Sequence, residues 1–281
     1  MNRKTILILI MILLINISLI GCNRESDIES EESSNNSDTF KVGLEAGYPP
    51  FNWTQIDSSN GAVKISDNSE YAGGYDVEIA KKIAEGLGKE LEIVKLEWDG
   101  LLPALTSNKI DAIIAGMSPT KERMETIDFS NNYYKSDLVM IVKKGSKYEG
   151  AASINDFKGA KVTAQLNTFH YSVIDQIDGV IKDVAMDNFP AMRVALQSEM
   201  IDGYVSERPE GVSAIAANDN FAMVEFQEGF NTLDDDTAIA VGLKKESDLR
   251  EEINEILKGI SDKERQDIMN KAIKNQPTLQ E

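Results

Sequence analysis

"ALTSNKIDAIIAG" (residues 104–116) and "ALQSEMIDGYVSE" (residues 195–207) align without a gap. Ala104/Ala195, Leu105/Leu196, Ser107/Ser198, Ile110/Ile201 and Asp111/Asp202 are identical. Each segment reads as a helix end, a tight turn, a buried strand and then a polar strand end. Five matches over so short a window can arise by chance. Taken as real, they describe two similar α/β units, each offering a strand end. Gly116 to Ser118 in the first then occupies the place of Glu207 and Arg208 in the second. In open α/β sheets, ligands bind beyond the carboxyl ends of the strands.

The same grammar runs outward in both directions. "FKVGLE" (40–45) reads as a first strand, and Asp76 to Leu87 as a helix with Ile79, Ala80, Ile83, Ala84 and Leu87 on one face. "ELEIVKLE" (90–97) alternates as a strand does. Leu101, Leu102 and Leu105 mark a helix, "IDAIIAG" (110–116) a buried strand, Thr120 to Thr126 a short helix and "SDLVMIVKK" (136–144) a strand. The pattern then restarts: strands at 159–164 and 179–185, a helix at 168–176, a helix through Phe189, Met192, Ala195 and Leu196, and a strand at 201–206. A helix over 208–217, a strand at 237–243 and two closing helices complete it. Strands alternating with helices predict an α/β fold.

The amino terminus indicates export. A basic start, Arg3-Lys4, precedes an apolar run from Ile6 to Ile20 that is short for a membrane span and suits a signal peptide. It ends in "LIGC" (19–22), which resembles a lipobox, so Cys22 is expected to carry the lipid. Residues 1–21 form the leader, and 22–38, polar and acidic, a flexible tether. Cys22 is the single cysteine, so the exported part has no disulfide. One histidine, His170, argues against a histidine metal site, and neither metal nor cofactor is expected. Removing the leader takes the formal net charge from −18 to −20. Such a surface repels nucleic acid. It can also raise the local concentration of cationic ligands, although solubility alone explains it equally.

Three stretches carry candidate chemistry. In "GMSPTKER" (116–123), Gly116 permits close backbone approach, Ser118 offers a hydroxyl and Arg123 a planar fork for a carboxylate. An ordinary loop–helix junction with a surface arginine is the simpler reading of those residues alone. "EAGYPPFNW" (45–53) is a stiff aromatic turn and "GGYD" (73–76) sets Tyr75 before a helix. Phe51 and Trp98 read as packing residues, and Trp53 is open. "SERPE" (206–210) ends a strand in charge, with Pro209 suited to start the next helix. His170 reads as a surface or cap residue, and Gln165 as a strand-end residue or a ligand contact.

Together "YPPF", "GGYDVEIAKKIAEGLG", "WDGLLPALTSNKIDAIIAGMSPTKERMETIDFSNNYY" and "DFKGAKVTAQLNTF" resemble, in order and spacing over residues 40–275, the polar amino-acid solute-binding proteins of ABC importers. The resemblance implies a two-lobed periplasmic-binding-protein clamshell of type II, each lobe a central sheet flanked by helices. Residues 39–132 plus 238–281 would form lobe 1 and 138–234 lobe 2, with hinges near 133–137 and 234–237. It implies that Arg123 meets the ligand α-carboxylate, with Ser118 and backbone groups of the Gly116-Met117-Ser118 run. Thr168 and the Phe169 amide would join from the other lobe. Tyr48 and Tyr75 would flank the side chain, Glu207 would take the α-ammonium group, and Glu45 the distal end.

Lysine or arginine is the expected ligand, with glutamine as the alternative. The implied partners are the transmembrane subunits of a permease with a cytoplasmic ATPase. The protein would be a monomer, lipid-anchored on the extracytoplasmic face of the cell membrane. An enzyme on the same scaffold, a dehydratase or lyase, is the rival reading and would need Glu207 or His170 as general acid or base. Three features depart from the pattern. Asn167 stands for the usual glycine before Thr168, glutamate stands for aspartate at 207, and residues 54–72 look long, as a surface hairpin near the cleft mouth.

Overall fold

The chain folds as two five-stranded sheets, each flanked by helices, in a computed structural model that describes residues 38–277. The leader, Cys22 and the tether up to residue 37 lie outside the described residues. The chain starts with β1 (Thr39–Leu44), then β2 (Gly47–Tyr48), β3 (Asn52–Gln55), β4 (Val63–Lys64) and β5 (Tyr71–Gly73). There follow α1 (Tyr75–Gly86), β6 (Glu90–Lys95), α2 (Leu101–Thr106), β7 (Ala112–Ile113), α3 (Lys121–Thr126) and β8 (Asp128–Lys135). It crosses to β9 (Leu138–Lys143), β10 (Lys161–Thr163), α4 (Phe169–Val173), β11 (Ile181–Lys182), α5 (Phe189–Gln197), β12 (Gly203–Glu207), α6 (Arg208–Ala217) and β13 (Phe221–Val224). It returns through β14 (Ala238–Leu243), α7 (Leu249–Lys258) and α8 (Asp262–Asn275).

The sheet orders are β6-β1-β7-β14-β8 and β11-β10-β12-β9-β13. In each, the second strand, β1 or β10, pairs in parallel with both neighbours, and an antiparallel strand, β14 or β9, separates these from the edge strand. Within β1, Phe40, Val42 and Leu44 are buried, and α1 buries Val77, Ile79, Ala80, Ile83 and Ala84 in the same core. Each large aliphatic side chain so buried contributes about 1.5–3 kcal/mol.

The repeat read from the sequence recurs atom by atom. Asn108 and Glu199, at matching positions, adopt left-handed φ of 59° and 60°. The hydroxyls of Ser107 and Ser198 donate to Pro103 and Val194 carbonyls at 2.7 and 2.8 Å. Asp111 accepts the Lys41 amide, and Asp202 the Lys161 amide, each at 2.8 Å. Each aspartate thus fastens the turn to the neighbouring parallel strand, β1 or β10, just where the next strand begins.

Two expectations change in detail. Tyr133 to Lys135 are not part of a crossing: they complete β8, and the first crossing is Ser136–Asp137. Ser136 donates to the Thr237 carbonyl at 3.1 Å, so the two crossings run side by side. The 54–72 segment joins a small antiparallel sheet of order β2-β3-β5-β4. Its Asn60 shares a small cavity with Ile268 and Asn275 of α8.

Candidate ligand-binding site

Strand ends from both sheets face one cleft. Glu45 follows β1, Gly116 to Ser118 follow β7, Gln165 follows β10, and Glu207 ends β12. Tyr48, Trp98, Gly116, Ser118, Arg123, Gln165, Thr168, Phe169, His170 and Phe189 surround an inner cavity of about 10 Å³. It adjoins a vestibule of about 840 Å³ that also touches Trp98, Arg123, Thr168 and Phe169.

Local sequence explains each placement. The Pro50 and Phe51 carbonyls accept the first amides of α1, from Tyr75 at 3.0 Å and Asp76 at 2.8 Å, which fixes the "YPPF" turn. Gly74 allows this: at φ 125° a Cβ would lie 2.3 Å from the Phe51 oxygen. Gly116 has φ 63°, and a Cβ there would lie 2.6 Å from the Tyr48 ring. Thr120 caps α3, its hydroxyl accepting the Arg123 amide at 3.4 Å. Asn167 holds φ 55°, a conformation asparagine tolerates better than most residues, so it can stand where glycine is usual.

The carboxylates of the cleft are buried and Arg123 is half-buried, without a full complement of opposite charge. Arg123 donates to the carbonyls of Ser118 (3.0 Å) and Asn167 (3.2 Å), and its guanidinium lies 5.1 Å from the Trp98 ring centre. Burial lowers its pKa to about 10, with neighbouring Glu122 acting weakly against that. Glu207 is 2% exposed. It accepts the Tyr48 hydroxyl, and burial raises its pKa to about 8. Glu45 accepts the Gln165 amide at 2.9 Å through Oε2, while Oε1 is buried with no partner. Burial raises Glu45 to about 7, Gln165 opposing and Glu97 and Asp76 reinforcing.

The contacts share a pattern: a group from the opposite side of the cleft covers each charge. Gln165 covers Glu45, the Asn167 carbonyl covers Arg123, and Tyr48 covers Glu207. Tyr48 also stacks on Phe189 at 4.2 Å between ring centres, and Asn167 donates to Asp99 at 2.9 Å. The cleft is closed on itself.

Of the residues singled out in the sequence, Glu45, Tyr48, Gly116, Ser118, Arg123, Thr168, Phe169 and Glu207 come together at the cleft. Tyr75 and Met117 do not line it. Tyr75 is 0% exposed, packs on Phe51, Tyr133 and Tyr134, and donates to the Tyr133 carbonyl at 3.0 Å. It starts α1, and that turn aims its ring into the core. The Met117 side chain is buried and its carbonyl accepts the Ala240 amide, which ties it to β14.

Trp98, read as a packing residue, is half-buried and walls both the cavity and the vestibule. Gln165, His170 and Phe189 also face the cavity. Gln165 was readable as a strand-end residue, but only the sheet pairing sets it against Glu45. Behind the cleft, buried Asp76 accepts Tyr133 Oη at 2.7 Å and Asn52 Nδ2 at 2.8 Å, and the Gly116 amide donates to Tyr133 Oη at 3.3 Å. Burial raises Asp76 to about 6. Arg208 pairs on the surface with Glu225. Among the described residues no cluster of three or more His, Cys, Asp or Glu side chains could hold a metal ion. None of their helices is long and apolar enough to cross a membrane.

Two sheet-bearing lobes with oppositely charged strand ends at one cleft define a solute-binding protein of the clamshell type. The chain belongs to the bacterial extracellular solute-binding proteins, family 3, whose profile matches residues 40–275. It is 27% identical to the arginine-binding extracellular protein ArtP of Bacillus subtilis, over 92% of this chain and 93% of that one. It is 30% identical to a probable histidine-binding protein of Campylobacter jejuni, over 69% of this chain and 74% of that one. Its fold matches, with a TM-score of 0.74 and 27% identity, the amino acid ABC transporter substrate-binding protein AbpA of Streptococcus pneumoniae bound to L-arginine. That match covers 85% of this chain and 96% of the other.

Proposed function

We propose that the chain is the extracytoplasmic receptor of an amino-acid ABC importer and that its ligand is a cationic amino acid, arginine or lysine. The observation that carries the reading is the unequal set of ionisable groups at the cleft: two buried carboxylates, Glu45 and Glu207, against one half-buried guanidinium, Arg123. A zwitterion alone would balance Arg123 and one carboxylate. A ligand with a second cation balances all three, and each new ion pair lowers the raised carboxylate pKa again. The partnerless Oε1 of Glu45 supports a donor-rich distal group there. Glutamine is the second reading, because an amide also donates to that oxygen. The relatives that bind arginine agree with the first.

Arg123 then takes the α-carboxylate as a two-pronged donor, and Glu207 takes the α-ammonium. Ser118, Thr168 and the Phe169 amide add donors around the carboxylate. Tyr48 and Trp98 flank the aliphatic stem, and an aromatic face near a cation adds attraction. The ligand has to displace the Gln165, Asn167 and Tyr48 contacts, so it closes the lobes by replacing contacts that the protein makes with itself. Because the replaced contacts come from both lobes, the ligand favours the closed state and shifts the population toward it. The crossings at Ser136–Asp137 and near Thr237 serve as hinges between a lobe of residues 39–135 plus 238–277 and one of 138–234.

The protein acts by recognition without chemistry, and the permease with its ATPase reads the closed form. A lipid on Cys22 holds it, as a monomer, to the outer face of the membrane. A thermal-shift screen against the common amino acids tests the ligand class, since a ligand raises the melting temperature by mass action. Arginine and lysine should give the largest shifts. A larger shift from an acidic or apolar amino acid would refute the reading.

A further inference from the structure

His170 is the single histidine of the chain, and the family pattern gives it no role. It lies in α4, 6% exposed, and lines the inner cavity with Tyr48, Arg123 and Gln165. Both ring nitrogens lack a hydrogen-bond partner. A buried imidazole ordinarily has at least one. Nε2 nevertheless stands 2.9 Å from Oε1 of Glu207. That distance suits an ion pair, but the direction is wrong for a neutral ring N–H donor. The ring sits beside the carboxylate and is not committed to it.

The charges around this pair come from four elements. Glu207 ends β12 and Arg123 projects from α3. Tyr48, of β2, donates to the second carboxylate oxygen, and Glu210, of α6, acts on Glu207 through space. Burial first, then the Arg123 cation, holds His170 far down, at about 3. Burial first, then Glu210, holds Glu207 up, at about 8. In the closed cleft near neutral pH the two groups therefore carry one proton between them. A ligand ammonium at Glu207 needs the carboxylate ionised and cannot share the seat with an imidazolium.

We infer that His170 and Glu207 form a proton-coupled pair at the ammonium seat, which holds a proton in the ligand-free cleft and releases it when the ligand ammonium docks. This rests on the reading that Glu207 receives the ammonium group. It accounts for the glutamate at this position, since the longer side chain brings the carboxyl to the ring. It also makes capture weaken on acidification. In an open, watered cleft the imidazole titrates near its ordinary value of about 6.5, or higher beside an ionised Glu207. A group at about 6.5 that must be neutral for binding weakens it roughly tenfold between about pH 7.5 and about pH 5.5.

The test is calorimetric titration of the protein with arginine, for wild type, His170→Gln and His170→Asn, in two buffers of different ionisation enthalpy across that range. Glu45 and Glu207 are present in all three proteins, so the difference isolates the proton that the His170 imidazole takes up in the open cleft. Wild type should release more protons than either variant, up to about one, and lose roughly tenfold more affinity on acidification. Equal proton release and parallel profiles in the three proteins would overturn the inference while leaving the ligand reading intact. So would wild type releasing no proton near pH 6, whatever the variants do. If wild type binds no amino acid at any pH, the ligand reading itself fails and this inference falls with it.

Discussion

Removing the Arg123 guanidinium should separate binding from folding. In the closed cleft its side-chain hydrogen bonds go to two carbonyls, Ser118 and Asn167, and its flat face lies against Trp98. The carboxylate that acts on it is neighbouring Glu122, and burial of the cation works against stability. Arg123→Ala therefore loses hydrogen bonds of about 1 kcal/mol each and gains back some desolvation. For a chain of this size the melting temperature should move by less than about 5 °C. Binding is different. The ligand carboxylate would be closed into the cleft without its partner, which costs about 3–5 kcal/mol. That is a loss of roughly two to three-and-a-half powers of ten in affinity. Arg123→Lys keeps the charge but not the fork and should fall between. Calorimetry with arginine, alongside thermal melts without ligand, reads both quantities. Near-normal affinity of Arg123→Ala would refute the carboxylate role.

Glu45→Gln should weaken arginine and lysine by at least tenfold and glutamine far less, measured in parallel titrations; equal losses would remove the cationic assignment. The ligand-free protein should also grow more stable as pH falls from about 8 toward about 5. Glu207, Glu45 and Asp76 have folded-state pKa values raised by burial to about 8, about 7 and about 6. Over that window the folded state binds more protons than the unfolded chain, so stability declines as pH rises. Below it the trend reverses, as groups held low such as Asp128, bonded to the Glu246 amide, take up protons. Denaturant melts across this range check the sign, and Glu207→Gln should flatten the upper part. Stability that is flat or rises from pH 5 to 8 would contradict the burial of these carboxylates.

The repeated helix–turn–strand unit was legible because its determinants are local. Ser107 and Ser198 bond within their own helix ends, and Asp111 and Asp202 bond to the neighbouring strand through a residue type that sequence displays. The unit set Gly116–Ser118 and Glu207 at two strand ends, while the roles of Arg123 and Glu207 came from the resemblance to the family and not from the repeat. β8 was not legible. "DFSNNYYK" lacks a clean alternation because it lies at a sheet edge, with Asn131 and Asn132 exposed. The small sheet was missed because strands of two to four residues carry no periodicity.

Tyr75 and Trp98 exchanged roles for one reason. An aromatic beside a helix start reads alike whether its ring turns in or out, and the backbone direction decides. The α1 start is fastened under the Phe51 turn and points Tyr75 inward, whereas Trp98 sits in a 3-10 turn at the cleft wall. His170 was read as a surface or cap residue because α4 gives no pattern long enough to show that its face meets β12.

The account turns on one ligand bridging both strand ends, and a crystal structure of the protein grown with arginine tests that most directly. The α-carboxylate should lie on Arg123, the α-ammonium on Glu207, and the guanidinium on Glu45 Oε1, with Gln165 drawn off Oε2 or sharing it. Arginine bound the other way round, or outside the cleft, would contradict the account.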